Sequence, residues 1–291
     1  MLFLSLMIVG TFFLGVSDIL RRKHLVSGID DQAMLVITLF LTGVLILPVF
    51  LILGFPIIQN GFWGAFWATV LLNLISQNLF IKAFKLSEAS LIAPLRLITP
   101  PLVILSGIII LKETPSLYGI LGIFITMIGL FFLLFKGSEG KTISFLSIRD
   151  RGVVYGLIAS VMFAISFPFD KLTVIKSSAL FTTFIVFTTL GILTYFINLI
   201  SNKNFNLILT SVIKNNLKAN IFISISSSLG VLFTNQALNY SLAAYGASLK
   251  RLWSLWTIVL SGKFLKEKDI GRKLVATIIM FVGIIISVIW K

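Results

Sequence analysis

Long apolar runs separated by short polar segments make up this chain from one end to the other. A helix that crosses the hydrocarbon core of a bilayer needs about 20 predominantly apolar residues. The runs have that length, so the pattern predicts ten transmembrane helices and no soluble domain. The predicted spans are Leu2–Leu20, Met34–Leu53, Phe62–Ile81, Leu86–Leu111, Leu117–Phe135, Val153–Phe169, Ala179–Ile200, Asn220–Tyr240, Ala243–Leu265 and Leu274–Trp290. The stretch Asn202–Lys218 is predicted to be a polar, amphipathic connection.

The pattern occurs twice. The stretch Ala83–Glu113 is repeated, with small shifts, at Ala237–Glu267. Matching pairs are Ala83 and Ala237, Ser87 and Ser241, Ala89 and Ala243, Arg96 and Arg251, Glu113 and Glu267, Gly129 and Gly283, and, in the first and sixth spans, Asp18 and Asp170. We therefore predict a first repeat at residues 1–138, a linker at 139–152 and a second repeat at 153–291. Five spans is an odd number, so the second repeat must be inverted in the membrane, as in many secondary transporters.

Composition supports a membrane protein. Hydrophobic residues make up 58% of the chain, charged residues only 12%, and the mean hydropathy is +1.08. The net charge of +14 would suggest nucleic-acid binding in a soluble protein, but here the basic residues lie in loops between spans, so we expect no nucleic-acid partner. The chain has no cysteine, which excludes disulfides and thiolate metal sites. The apolar N-terminal run lacks a basic start and a cleavage site, which favours a first span over a signal peptide.

The basic residues are distributed unevenly between the two sides of the membrane. Of 24 lysines and arginines, 17 follow the first, third, fifth, seventh and ninth spans: Arg21, Arg22, Lys23, Lys82, Lys85, Lys136, Lys141, Arg149, Arg151, Lys203, Lys214, Lys218, Lys263, Lys266, Lys268, Arg272 and Lys273. Basic loops remain in the cytoplasm. The charge count therefore predicts that both termini lie outside.

The doubled motifs resemble the drug/metabolite transporter superfamily, in its EamA-like ten-helix branch. The resemblance rests on the A-x-x-x-S-x-A turn at Ala83 and Ala237, the proline-bearing run Pro94–Pro101, and L-K-E before the fifth and tenth spans. It covers the whole chain and implies a pore between helices one, three, four, six, eight and nine. It also implies cytoplasmic termini, in conflict with the charge count. The chain departs from the pattern in having no arginine in Met34–Leu53, and the second copy lacks the prolines of the first, Pro94, Pro100 and Pro101.

Arg96 is the deepest charge that the sequence predicts. An arginine near the centre of a span costs about 2.5–3.5 kcal/mol on insertion scales, so its guanidinium should face a wet cavity or a partner. Pro94, Pro100 and Pro101 leave nearby carbonyls without donors, which loosens the backbone around it. Backbone of that kind is tolerated where it lines a cavity. The alternative is a structural arginine paired with a polar neighbour such as Gln77 or Asn78.

Lys250 and Arg251 are the counterpart in the second copy. Adjacent helical residues point about 100° apart, so we expect Arg251 in the cavity and Lys250 at its rim. The alternative is a pair that snorkels to the nearer interface. Trp253 could stack on a planar or cationic ligand or simply pack between helices. Gln77, Asn78 and Asn235 could line a polar path or hold helices together.

Asp18 and Asp170 lie near the ends of their spans. One interpretation is a surface ion pair, with Arg21 and Arg22 following Asp18 and Lys171 following Asp170. The other is a gate or coupling group that closes against Arg96 or Arg251. His24 is the only histidine, so we expect no catalytic residue, no metal site and no cofactor.

The leading hypothesis is a secondary transporter or exporter, not an enzyme, of a small polar or amphipathic metabolite. Two arginines and a lysine against two peripheral aspartates make the central cavity positive, which favours a carboxylate or phosphate on the substrate. The expected partners are a small molecule and the lipid bilayer, in a monomer or homodimer located in the plasma membrane (bacterial inner or archaeal). A lipid-linked sugar flippase of the same fold and a structural membrane subunit are the alternatives.

Overall fold

The computed structural model describes residues 2–99, 102–103, 117–134, 136–138, 141–144, 150–240, 249–250, 252–267 and 269–289. In that part the chain is helical apart from one short hairpin. The helices are α1 (Leu2–Val26), α2 (Asp31–Val44), α3 (Leu47–Leu53), α4 (Phe62–Leu86), α5 (Ala89–Ile92), α6 (Leu117–Leu134), α7 (Arg151–Ile175), α8 (Ala179–Ser201), α9 (Phe205–Leu238), α10 (Leu252–Phe264) and α11 (Ile270–Ile289). A 3-10 segment, Ala93–Ile98, continues α5.

Each of the ten predicted spans overlaps a described helix. The second span is divided into α2 and α3, and the fourth is described only as α5, the 3-10 segment and a few residues beyond it. Among the described residues, six helical stretches are long and apolar enough to cross a membrane, with Asp31–Val49, which covers α2 and the start of α3, taken as one of them. Their outer faces expose large apolar side chains, such as Trp67 on α4 and Phe196 on α8, where lipid would lie. The protein is therefore an all-α integral membrane protein, as predicted.

Within the stretch Asn202–Lys218, the residues from Phe205 onwards are helical and continuous with the eighth span. They begin α9, and the φ of −130° at Asn216 marks a kink where the chain turns into the span. Phe205 and Val212 pack against α2, while Leu207 is 72% exposed, so this helix is amphipathic, as expected for a segment at the membrane surface. Between α6 and α7, strands β1 (Lys136–Ser138) and β2 (Lys141–Ser144) pair antiparallel, Lys136 opposite Ser144.

The pairing of helices shows that the two repeats are related by symmetry. The closest partners are α1 with α9, α4 with α7, α2 with α8, and α6 with α11. Exchanging the two halves converts α1–α9 into α7–α4 and leaves the other two pairs unchanged. Because each repeat has five spans, this symmetry axis lies in the membrane plane. The protein consists of ten transmembrane helices in two inverted five-helix repeats.

Gly129 and Gly283 show the symmetry at atomic scale. A Cβ on Gly129 would lie 2.5 Å from Cγ of Met280, and one on Gly283 would lie 2.7 Å from the carbonyl oxygen of Gly122. Both glycines therefore let α6 and α11 approach closely, as small residues do between membrane helices. The two residues that the sequence repeat matches occupy equivalent positions on either side of one helix pair.

The topology defines two sides of the membrane. The terminal side holds the beginning of α1, the end of α11 and the connection between α7 and α8. The basic side holds the connection between α1 and α2, the hairpin, and the turn between α10 and α11. The 17 basic residues grouped above belong to the basic side.

Candidate functional site

A cavity lies between the two repeats, at the centre of the helix bundle. It contains about 920 Å³ of empty space, open solvent at its mouth included. Thr182, Asn235 and Asp170 each lie within five residues of a helix end on the terminal side, and Arg21 lies five residues from the basic-side end of α1, so the cavity extends towards the terminal side and reaches deep into the bundle. The polar lining residues are Ser17, Arg21, Thr69, Asn73, Gln77, Arg96, Asp170, Thr182, Ser227, Asn235 and Lys250, with Trp253 beside them. Both repeats contribute to this wall.

Arg96 lies in the 3-10 segment, where the backbone departs from α-helical geometry as the prolines predicted. Its partner is Asp18 of α1: Nη1 donates to Oδ2 at 2.5 Å and Nη2 to Oδ1 at 3.5 Å. Arg96 is 3% exposed and Asp18 is fully buried. Thr257 of α10 also donates to Oδ2 of Asp18, at 3.2 Å. The surface ion pair expected between Asp18 and the arginines that follow it is wrong, because the α1–α10 contact buries this carboxylate.

Aromatic rings surround the guanidinium of Arg96. Its Cζ lies 3.8 Å from the ring centroid of Trp253, 4.4 Å from Phe80 and 5.2 Å from Phe84. A cation over an aromatic face is stabilised by the ring quadrupole, most strongly by tryptophan. Arg96 is thus held by one carboxylate and three rings, and Gln77 and Asn78 are not its partners. Its charge is compensated within the protein.

Asp170 is the centre of a second polar cluster, on α7. It accepts hydrogen bonds from Ser166 at 2.8 Å and from Nδ2 of Asn73 on α4 at 3.0 Å. Lys250 is close enough to attract its carboxylate electrostatically. The bond between Asn73 and Asp170 joins the first repeat to the second. Asp18 and Asp170 correspond in the sequence repeat, and each interacts with a basic residue. Asp18 binds Arg96, which aromatic rings surround, and Asp170 attracts Lys250 at the cavity wall.

The structure brings most of the predicted site residues to one place. Arg96, Lys250, Gln77, Asn235, Trp253 and Asp170 line the cavity, and Asp18 lies behind Arg96. Asn235 donates to Thr183 at 3.0 Å, which joins α9 to α8. Asn78 is not part of the wall, and its amide donates to the carbonyl of Leu74 in its own helix. Arg251 lies outside the described residues.

Arg21 is the charged lining residue that sequence reasoning missed. Its place after the first span suggested a loop residue, yet α1 continues to Val26 and buries it. The signal was present in the spacing, because Leu14, Ser17 and Arg21 lie three and four residues apart and share one helix face.

On the basic side, hydrogen bonds and an ion pair join the two repeats. Glu267, in the turn before α11, accepts the N–H groups of Ala89 at 2.9 Å and Ser90 at 3.0 Å. Lys273 of α11 bonds to Glu88 and Ser90. The first helical turn has N–H groups without intrahelical partners, so a carboxylate here both caps α5 and joins it to the second repeat.

Comparisons with known proteins give a family and a fold. The chain matches the model described as "EamA-like transporter family" over residues 1–135 and again over residues 150–289. No curated protein matches it. Among solved structures, one described as "Crystal structure of protein" aligns with a TM-score of 0.64 at 10% identity and covers 98% of this chain and 96% of that chain. At this identity the likeness supports the fold alone.

Proposed function

Since the chain belongs to the EamA-like transporter family, we propose that it is a secondary transporter that carries a small polar or amphipathic metabolite across the membrane by alternating access. The observation that carries this proposal is the central cavity, whose polar and charged wall is built from both repeats. Transporters with inverted repeats bind their cargo near the midplane, between the two halves. We place the protein in the plasma membrane of a bacterium or archaeon.

The mechanism follows from the asymmetry of the two sides. The cavity extends towards the terminal side, while Glu267 and Lys273 hold the repeats together on the basic side. To release cargo to the basic side, these contacts must break as one repeat rocks against the other. The symmetry of the fold supplies an equivalent arrangement in which the terminal side is closed.

The polar wall gives the cargo its contacts. Lys250, Asn235 and Gln77 present hydrogen-bonding groups to the cavity, and Asp170 has its own donors in Asn73 and Ser166. Arg21, Arg96 and Lys250 against Asp18 and Asp170 leave the site with net positive charge. Such a cavity favours solutes that carry a negative or electron-rich group.

The experiment that tests transport begins with purified protein and a metabolite library. A ligand that binds the folded state raises its thermal stability, so melting shifts identify candidate cargoes. Each candidate is then followed into proteoliposomes by counterflow. We expect saturable uptake that falls several-fold in Lys250→Gln, because that change removes a charge from the cavity wall, and that persists in Lys203→Gln, which removes an exposed charge outside it.

Ligands that stabilise the protein yet show no flux above empty liposomes would contradict the transport proposal. Equal uptake by Lys250→Gln and wild type would place the path elsewhere in the protein. Both measurements use the full-length chain.

A further inference from the structure

We propose that Arg21 is the anion-binding residue of the cavity and that the cargo presents a carboxylate or phosphate to it. This inference rests on the proposed transport function, because it concerns the same cavity. It goes further by naming the residue that selects the cargo and the group that the residue selects. Three properties of Arg21 carry it: burial, missing hydrogen-bond partners and missing countercharge.

Arg21 is buried but incompletely bonded. It is 7% exposed and contributes to the cavity wall. Its Nη2 donates to Oγ of Ser227 on α9 at 3.2 Å. Among the residues that the structure describes, its Nε has no hydrogen-bond partner. A buried donor without an acceptor costs free energy. An acceptor on a bound solute would remove that cost, and no described residue provides one.

Arg21 also lacks a countercharge of its own. None of the ion pairs found among the described residues, Arg96–Asp18, Lys85–Asp31 and Lys273–Glu88, includes it. Asp18, one helical turn away, already accepts from both terminal nitrogens of Arg96 and from Thr257. The electrostatic effect of Asp18 on Arg21 is opposed by that of Arg96. Among the described cations of the wall, Arg21 is therefore the one whose charge is compensated least.

The other two cations of the wall differ from it in their countercharges, although the Nε of Arg96 likewise has no hydrogen-bond partner among the described residues. Arg96 is held by Asp18 and covered by Trp253, so an incoming anion would have to displace both. Lys250 interacts electrostatically with Asp170, which would repel an anion approaching the same place. An anion is drawn instead to Arg21, at the end of the cavity farther from Asp170 along the membrane normal.

The chemistry of the group fits oxyanions. A guanidinium offers donors in a planar fork that matches carboxylate and phosphate oxygens, and such charge-assisted bonds are stronger than neutral ones. The hydroxyl of Ser227 lies beside this fork. The indole N–H of Trp253, buried and without a partner among the described residues, adds another donor to the same cavity.

The test measures anion binding directly, separately from transport. Melting temperatures of the detergent-purified full chain are recorded against inorganic phosphate, glycerol phosphate and succinate, with glycerol and tetraethylammonium as neutral and cationic probes. At least one anion should stabilise the wild type, and Arg21→Gln should weaken its apparent Kd about tenfold or more. Lys23→Gln, two residues away on the exposed face of α1, removes the same charge and should bind like wild type.

Each result decides the inference. Equal anion stabilisation in Arg21→Gln and wild type overturns it, as does a wild type that none of the three anions stabilises. If Arg21→Gln does not yield folded protein, Arg21→Lys decides: the charge without the fork should bind more weakly than wild type, and unchanged binding overturns the proposal. Comparing succinate with the two phosphates identifies which oxyanion the site prefers.

Failure of this inference is distinguishable from failure of the transport proposal. Anion binding that depends on Arg21, with no flux of any bound solute in proteoliposomes, leaves the anion site standing and contradicts transport. Flux of neutral or cationic solutes that is unaffected by Arg21→Gln supports transport and contradicts the anion site at Arg21.

Discussion

At the scale of single residues, the main feature of the protein is a set of ionised side chains buried inside the transmembrane helix bundle. Arg96 and Asp18 are both almost fully buried, and each depends on the other for its countercharge. A buried ion pair contributes little net stability, but removing one partner leaves an uncompensated charge and is strongly destabilising. The pair therefore ties α1 to the 3-10 segment through mutual dependence.

A double-mutant cycle measures this dependence. We expect Arg96→Gln and Asp18→Asn each to cost about 3–5 kcal/mol of stability, because each strands a buried charge. The double variant should cost much less than the sum, since neither charge then remains. Thermal or denaturant unfolding in detergent provides the measurement.

Lys85→Gln is the matched control for that cycle. It breaks the ion pair with Asp31, but the Lys85 side chain is 45% exposed. The Asp31 side chain is 12% exposed, so water reaches both partners, whereas Asp18 is fully buried; the loss of stability should be clearly smaller than that of Arg96→Gln. If Arg96→Gln lowers the stability no more than Lys85→Gln does, Arg96 and Asp18 do not form a buried pair whose members depend on each other.

Sequence reasoning located Arg96 because a cation inside an apolar run requires a solution of some kind. It could not find Asp18 as the partner, because 78 positions separate the two residues and only the packing of α1 against α5 joins them. It missed Arg21 for a different reason. The apolar run ends at Leu20, and the pattern does not reveal that the helix continues for six more residues.

At the scale of helices, two contacts between repeats determine how the bundle closes and packs. Glu267 caps α5 from the other half of the chain, and its counterpart by sequence, Glu113, lies outside the described residues. The α6–α11 pair depends on Gly129 and Gly283. The sequence repeat indicated that these positions correspond, and the fold shows what each described one contacts.

Neutralising Glu267 should loosen the basic side. Because the chain has no cysteine, Gln77→Cys provides a single label site in the cavity. We expect Glu267→Gln to raise the labelling rate of that cysteine by a membrane-impermeant maleimide applied from the basic side, since a neutral amide caps the α5 N–H groups less strongly. Lys263→Gln, nearby and exposed, should leave the rate unchanged. No increase in Glu267→Gln would show that other contacts alone hold that side closed.

Two glycine substitutions should have opposite signs. Gly283→Ala would place a Cβ 2.6 Å from Oγ1 of Thr126 and 2.7 Å from a backbone oxygen, so α6 and α11 must separate and stability should fall. Gly64→Ala in α4 meets nothing within 4 Å and should stabilise by about 0.5–1 kcal/mol, because alanine favours a helix over glycine. Melting temperatures of the two variants provide the test. A melting temperature that does not fall in Gly283→Ala would mean that close packing does not govern the α6–α11 pair.

At the scale of the whole molecule, charge separates the two membrane faces more clearly than any motif. The basic side holds 17 of the 24 lysines and arginines, including Lys136, Lys203 and Lys268. Length and hydropathy sufficed to predict ten spans and their inversion, because about 20 apolar residues have few other places to go. The pairing of helices across the repeats could not be predicted, because uniformly apolar helices carry no periodicity that shows which face is inward.

The charge count predicts the orientation of the molecule. We expect the basic side in the cytoplasm, so that both termini lie outside and the cavity opens outward. Alkaline phosphatase fused after Lys291 should therefore be active, and a fluorescent protein there dark in cells of a bacterial host. The control is a variant in which Arg21, Arg22 and Lys23 are replaced by acidic residues. This change alone should weaken the preference for termini outside. An inactive phosphatase fusion would instead favour the orientation that the family resemblance implies.

The exchange symmetry of the helix pairs has a consequence for how such a chain could arise. In α2–α8 and α6–α11 each helix packs on its own counterpart, and in α1–α9 and α4–α7 each pair is the image of the other. Two identical five-helix chains, inserted into the membrane in opposite orientations, would make the same contacts as a dimer. Halves of the chain separated between β1 and β2 and expressed together would lose the β1–β2 pairing but keep all four of these helix pairs, so we expect them to reassemble.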